Sequence, residues 1–476
     1  MEETSPFLAF PLASLEVTSD ELIGQLDEEV TIGLNEEGIY TVYFHSDPFV
    51  RGKDDLIPFN SFALPIPIID SVVSLPLPDL AELSLDKGIL KGDQLIFTLN
   101  SVENSDVSVK ISLPQFTKNG DVFEGEYIIP FDGSSPGTLT AEPIDLNGYT
   151  VDFSNGDLTL RYEARNEAGE RIILPLSFAQ ITGFEFSYLE GSIIRTSIST
   201  DLQRIDIDIQ DSLIAGEYQF QDPKIHFDLH NSFGIPLGVK VKEVYILGSD
   251  SIQQPLESSL FDQIIILDYP GFDQQGEVVR DRITFDKENS NLLELTHNDI
   301  IGIDYDLDII LNPQEISDER FFILDTSQTL VTAEVELSFE ALVDNVGISK
   351  IADLDFSRLD SIDFLRLKVV VENGLPLSFQ PDLTFLDTIS GQRIALNEEN
   401  GALISNANTN DSGDILSTTS SLLFYSLDID QLARVKDMNQ LEAEFTLRSP
   451  DQGATSAKIK PGQKLMMRVG AEAKFR

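Results

Sequence analysis

The chain has 476 residues, with 32 Lys plus Arg against 81 Asp plus Glu, and a formal charge of -49. A chain so acidic repels phosphate backbones and anionic headgroups, and no basic stripe with interleaved aromatics offsets this locally, so nucleic acid is not expected as a partner. It contains no Cys and no Trp, which removes disulfides, thiolate zinc sites, cysteine nucleophiles and the commonest flat platform for sugars.

At roughly 100 to 200 residues per domain the length allows two to four domains. The opening segment EETSP after Met1 has neither a basic n-region nor an apolar h-region, and no run of about 18 apolar residues follows anywhere. This fits either a cytosolic chain or one whose signal segment has been removed. The second is expected: an acidic, Cys-free chain of many strands suits a location past the inner membrane, periplasmic or associated with the outer membrane.

Thr18 and Glu21 form a capping-box pattern ahead of Leu22, Ile23 and Leu26, predicting a short helix. Val30 to Leu34 and Ile39 to His45 then read as a hairpin. Residues 57–78 carry five prolines among apolar residues, which disfavours a central strand and fits an extended linker or an edge segment. A boundary is placed near residue 80, so that residues 1–80 form an N-terminal hairpin unit and linker.

Beyond residue 80 the dominant period is two. LTLRYEA places Leu158, Leu160 and Tyr162 on one face. IDIDIQ does the same with Ile205, Ile207 and Ile209, KIHFDL with Ile225, Phe227 and Leu229, AEVELSF with Val335, Leu337 and Phe339, and RLKVVV with Leu367, Val369 and Val371. One apolar and one wet face imply antiparallel sheets. Turn residues such as Asn119-Gly120, Asn147-Gly148 and Asn155-Gly156 punctuate the runs. Near the C-terminus Asp428 and Gln431 predict a second short helix through Leu432 and Val435. The fold class read from these patterns is all-β, with tandem antiparallel β-sandwich modules of immunoglobulin-like or Greek-key type over 81–195, 196–345 and 346–476 and few short helices.

Four segments share a strand that reaches an Asn, a short loop, and a strand that resumes with aliphatics: around Asn100, Asn166, Asn231 (with Gly234 and Pro236) and Asn373 (with Gly374 and Pro376). The Asn positions are 66, 65 and 142 residues apart, which suggests a repeat near 65 to 71 residues with one degenerate copy, or turn chemistry reused. The segment PKIHFDLHNSFGIPLGVKVKEVYI, from Pro223, resembles the strand-Asn-Pro-strand core of the LEA14/WHy-like β-sandwich family, and ENGLPLSF is similar but shorter. That resemblance implies neighbouring strands of a small sandwich. The whole also resembles secreted or lipid-anchored envelope proteins of Bacteroidota, which implies a part in an outer-membrane assembly, for instance as an accessory or plug subunit of a type IX-like secretion translocon.

Reactive signatures are sparse. His226 and His230 stand on one strand face about 13 Å apart at roughly 3.3 Å per residue, too far for one metal ion; His45 and His297 are the remaining histidines. No G-x-S-x-G elbow and no phosphate-cradling Gly motif occurs. Asp304, Asp306 and Asp308 in DYDLD, and the loop Asn406 to Asp414, are weighed for calcium, and in both a structural ion is disfavoured. The closing segment KLMMRVGAEAKFR sets basic charge in an acidic chain and reads as a final sheet strand or a docking strand. No cofactor is expected. The leading expectation is therefore a non-catalytic envelope protein that binds protein partners. The alternatives are a carrier of lipid or other apolar ligands in a β-lined channel, and a glycoside-active enzyme.

Overall fold

The computed structural model describes residues 7–23, 31–56, 64–76, 83–183, 185–207, 217–249, 252–261, 263–296, 300–354, 362–398, 403–427 and 429–475. Leu26, Val30, residues 57–63 and 77–82 with the boundary near 80, Asp208 to Gln210, His297 and Asp428 lie outside the described residues.

The chain is all-β, and its antiparallel sheets form three successive sandwiches. In the first, a sheet of Thr138–Thr140, Gln94–Asn100, Ser177–Thr182 and Leu64–Ile68 faces a larger sheet built around Val107–Lys118 and Asp157–Arg165. In the second, the sheet containing Tyr40–His45, Gln328–Ser338, Pro223–Asn231 and Val279–Phe285 faces one built on Ile300–Leu311 and Leu237–Gly248. In the third, the sheet of Phe7–Thr18, Lys464–Phe475, Ile362–Asn373 and Thr419–Ser426 faces Val346–Asp353, Gln440–Arg448, Ser378–Leu386 and Arg393–Ala395.

The period-two patterns explain the pairing of faces, since alternate side chains must leave water together. Ile225, Phe227 and Leu229 are buried, as are Leu365, Leu367, Val369 and Val371. Contacts between facing sheets define each core. The Phe97 and Tyr127 rings meet edge to face at 5.4 Å in the first sandwich, Phe227 and Tyr305 at 5.0 Å in the second, and the Tyr425 hydroxyl donates to the Pro381 carbonyl at 3.0 Å in the third.

The N-terminal strands do not pair chiefly with one another. Phe7–Thr18 lies beside Lys464–Phe475, Tyr40–His45 beside Gln328–Ser338, and Leu64–Ile68 beside Ser177–Thr182. Each sandwich thus has its last strand in that sheet flanked by one early strand, in reverse order along the chain. This strap is pinned by Ser19 N–H donating to Gln463 O at 2.9 Å and Tyr40 N–H to Ile459 O at 3.0 Å. Tyr40 also donates its hydroxyl to Asp20, and burial, followed by that carboxylate, pushes its pKa up to about 12. The prolines of LPIPI sit in the outermost strand of its sheet, where a missing N–H costs no ladder bond.

Neighbouring sandwiches are also stitched directly. Glu319–Leu324 leaves the second to pair with Phe186–Ile193 of the first. A ribbon of Glu217–Phe220, Glu340–Asp344 and Ala457–Lys458 joins the second to the third.

Candidate functional site

Three of the four recurrent asparagines hold the same place. Asn100, Asn231 and Asn373 each end a strand in one sheet just before the chain crosses to the facing sheet. Asn231 accepts the Phe233 N–H at 3.0 Å and donates to the Phe233 carbonyl at 3.1 Å, and Thr329 donates to it at 3.1 Å. Asn373 accepts the Leu375 N–H at 2.9 Å and donates to the carbonyls of Leu377 and Ser405 at 2.8 and 2.9 Å. Asn100 donates to Leu176 O at 2.6 Å and accepts from Thr138 at 2.9 Å. Asn166 differs: it closes a turn between Asp157–Arg165 and Arg171–Ile172 of one sheet, accepting the Glu170 N–H at 3.0 Å. The structural repeat is therefore a whole sandwich.

The flanking residues serve the same corners. Gly234 exchanges backbone bonds with Phe322 at 3.1 Å in each direction, and a Cβ there would lie 2.1 Å from the Phe322 ring. The Pro236 carbonyl accepts from Asn312 N–H at 2.9 Å. Gly374 donates its N–H to Lys464 O at 2.9 Å, and Pro376 is buried beside it in sequence. These are sheet-crossing joints, with their polar atoms directed at backbone.

The acidic candidates are paired with bases. Asp304, buried, takes a two-point contact from Arg204 at 2.6 and 2.8 Å and a third bond from Gln253 at 2.8 Å, and the Arg204 contact holds its pKa below the usual carboxylate range. Lys242 lies 2.6 Å from Asp306 and 3.3 Å from Asp308. In the loop 406–414, Asp414 is taken by Lys460 at 2.8 Å and by Asn410. Among the described residues no cluster of three or more His, Asp or Glu is arranged to hold a metal ion.

The described histidines, His45, His226 and His230, belong to a polar ladder across the outer face of the second sandwich. His226 and His230 project from the same side of Pro223–Asn231. His226, 5% exposed, contacts Thr284 Oγ1 through Nδ1 at 2.8 Å and Glu336 through Nε2 at 3.0 Å. Glu336 also takes Lys224 at 3.0 Å. The hydrogen bond from His226 acts against burial, and with help from Lys224 it lowers the Glu336 pKa to about 2. Arg282 grips Asp228 at 2.6 and 2.7 Å, and His45 lies 3.5 Å from Glu334. The ladder lies on paired sheet strands.

An apolar cavity of about 80 Å³ lies between the second and third sandwiches, walled by Leu22, Ile23, Phe220, Phe339, Val343 and Ile348. A shallow open groove of about 510 Å³ crosses the outer face of the third sandwich's strap-bearing sheet, over Leu12, Lys368, Val370, Arg468 and Gly470. Sequence reading noted the basic charge of the last strand, but the groove also needs Leu12 and Lys368, which only the pairing of Phe7–Thr18 and Ile362–Asn373 on either side of that strand brings together.

Fold and surface thus define an all-β protein of tandem antiparallel sandwiches. No protein-family model matches the chain and no curated protein matches it, so the LEA14/WHy likeness rests on the strand-Asn-Pro-strand segments alone. Among solved structures, 99% of the chain aligns with the whole of a putative secreted protein from Parabacteroides distasonis, at 10% identity and a TM-score of 0.34. The infectious bursal disease virus VP2 subviral particle aligns over 99% of this chain and 81% of its own, at 7% identity and 0.17. The N-terminal CBM22-1-CBM22-2 tandem domain of Paenibacillus barcinonensis Xyn10C aligns over 62% and 89%, at 7% and 0.15. At TM-scores this low the alignments bear on neither the activity nor the partners of this chain.

Proposed function

We propose that this chain is a non-catalytic binding protein of the bacterial cell envelope, acting past the inner membrane as a rigid subunit of a larger assembly. An accessory or plug role at an outer-membrane secretion translocon is the specific form we favour. The observation that carries the reading is the disposition of ionisable groups: Glu336 with His226, Asp304 with Arg204 and Asp306 with Lys242 are each partnered along strands. Such pairs leave the sheet faces and edges as the parts that meet other molecules. Sandwiches stitched by strand pairing suit a load-bearing or spacing role, because the modules cannot separate without breaking sheet pairing. Affinity purification from the native host, followed by mass spectrometry, should return a stoichiometric envelope protein. Turnover of a generic glycoside or ester substrate that one His or carboxylate substitution abolishes would refute it.

A second reading is supported by the apolar cavity at the junction of the second and third sandwiches. Its volume of about 80 Å³ suits a small apolar group better than a lipid chain, since an engineered cavity of roughly 150 Å³ holds one benzene. Native mass spectrometry of gently purified protein distinguishes the two: a bound apolar mass favours the carrier.

A further inference from the structure

The outer face of the strap-bearing sheet in the third sandwich reverses the charge balance of the molecule. Strand register turns Arg366, Lys368, Lys464, Arg468 and Lys474 outward together with Glu16, Glu372 and Glu472. Among the described side chains of these three strands that is five bases against three acids, in a chain with 32 bases and 81 acids. Three of the bases are engaged: Arg366 with Glu472 at 2.7 Å and over the Phe424 ring, Arg468 with Glu372 at 3.1 Å, and Lys464 with Glu16 at 3.4 Å. Lys368 is exposed and forms no ion pair among the described residues.

The groove is cut into this face beside Lys368. Gly470 lies between its register partners Pro11 and Lys368, so that row lacks a side chain at its centre. The adjacent row is Ser14, Arg468, Val370 and Leu422, with Leu422 48% exposed. The register shifts between Pro11 and Ala13, and this irregular stretch of the edge strand lines one side of the recess. Diagonal neighbours in a sheet stand about 7 Å apart, close enough for one carboxylate to lie between Lys368 and Arg468.

We propose that this groove docks an extended acidic segment of a partner polypeptide. A carboxylate of the segment sits between Lys368 and Arg468, and an aliphatic side chain fills the dent above Gly470 against Val370 and Leu12. The proposal rests on the binding-protein reading above and names the face that does the binding. Charge complementarity selects the partner's sign. The recess, lined by Leu12, Val370 and Gly470, admits the side chains of a peptide, whereas a bilayer takes up an apolar face laid into it. The strong negative field of the remaining surface is screened beyond about 8 Å at physiological salt, so it slows encounter without preventing local contact.

The test is a fluorescence-anisotropy titration of the full chain with a short labelled peptide of alternating Glu and Leu, at about 0.15 M salt. Saturable binding is expected, weakened roughly tenfold or more by Lys368→Glu with Arg468→Glu, and absent for a Ser-Leu peptide. Gly470→Leu should weaken it comparably with the fold intact, because a Cβ at 470 meets only Phe10 O at 3.4 Å and Lys368 O at 3.8 Å, ordinary contact distances. No saturable binding, or equal affinity in all three proteins, overturns the proposal. So does binding of phosphatidylglycerol vesicles that the charge-reversed variant loses while the peptide stays unbound. If the charge-reversed variant still retrieves the envelope partner from the native host, the binding reading stands and this face is excluded.

Discussion

Asn373 repeats in the third sandwich the part that Asn231 plays in the second. Each is buried at the end of a strand, accepts the backbone N–H two residues ahead, at 2.9 and 3.0 Å, and donates its amide to the crossing chain. An Asn side chain mimics one peptide unit, so it satisfies backbone groups that the ladder releases when the chain changes sheet.

Removing that amide should therefore be costly at the buried corner and cheap at the exposed turn. Asn373→Ala orphans Leu377 O, Ser405 O and the Leu375 N–H and is expected to destabilise by about 2 to 4 kcal/mol in urea unfolding. Asn166→Ala, on an open hairpin turn, should cost under about 1 kcal/mol. Equal costs would remove the distinction between the corners and that turn.

Gly234→Ala should destabilise by roughly 2 to 3 kcal/mol, since its Cβ would overlap the Phe322 ring at the joint between the first and second sandwiches. Pairing it with Phe322→Leu should recover part of that loss in a double-mutant cycle. A strictly additive result would show that the two residues do not meet.

Stability should fall in acid through Glu336. Its folded pKa of about 2 lies below the ordinary carboxylate value of 4.5, so its contribution is present in full above about pH 4.5 and is lost as pH drops through about 2. At neutral pH the gap is worth on the order of 3 kcal/mol. Denaturation curves at successive pH values should show this decline, and Glu336→Gln should flatten it. A variant with the same acid profile as the parent would place the effect elsewhere.

A chain lacking residues 1–23 should lose about 5 kcal/mol, because Leu15, Val17 and Ile23 are all buried and each such side chain is worth about 1.5 to 3 kcal/mol. It also bares the edge of Lys464–Phe475, which invites pairing between copies. Sedimentation velocity should show self-association that a synthetic peptide of residues 7–23 suppresses. A monodisperse, equally stable truncation would mean that the strap is dispensable.

Calcium should leave the melting temperature unchanged, since Lys242 and Arg204 already hold the DYDLD carboxylates. A rise of several degrees that EDTA reverses would show that these ion pairs give way to the metal.

Sequence by itself determined the all-β class and the apolar phase of its strands, and it kept the proline-rich LPIPI segment out of a central strand while leaving linker and edge strand both open. Each of these follows from local rules: side chains alternate with period two, and proline lacks an N–H. The corner asparagines were also legible as recurrent turn residues, although Asn166 shares their local pattern without crossing between sheets. Tertiary structure alone decided that Phe7–Thr18 pairs with Lys464–Phe475, that Tyr40–His45 completes the second sandwich, and that Lys368, Arg468 and Leu12 share one groove. An early strand carries no local mark of its partner. Backbone hydrogen bonds are the same for every antiparallel pairing, and the choice among edges is made by the combined burial of side chains hundreds of residues apart.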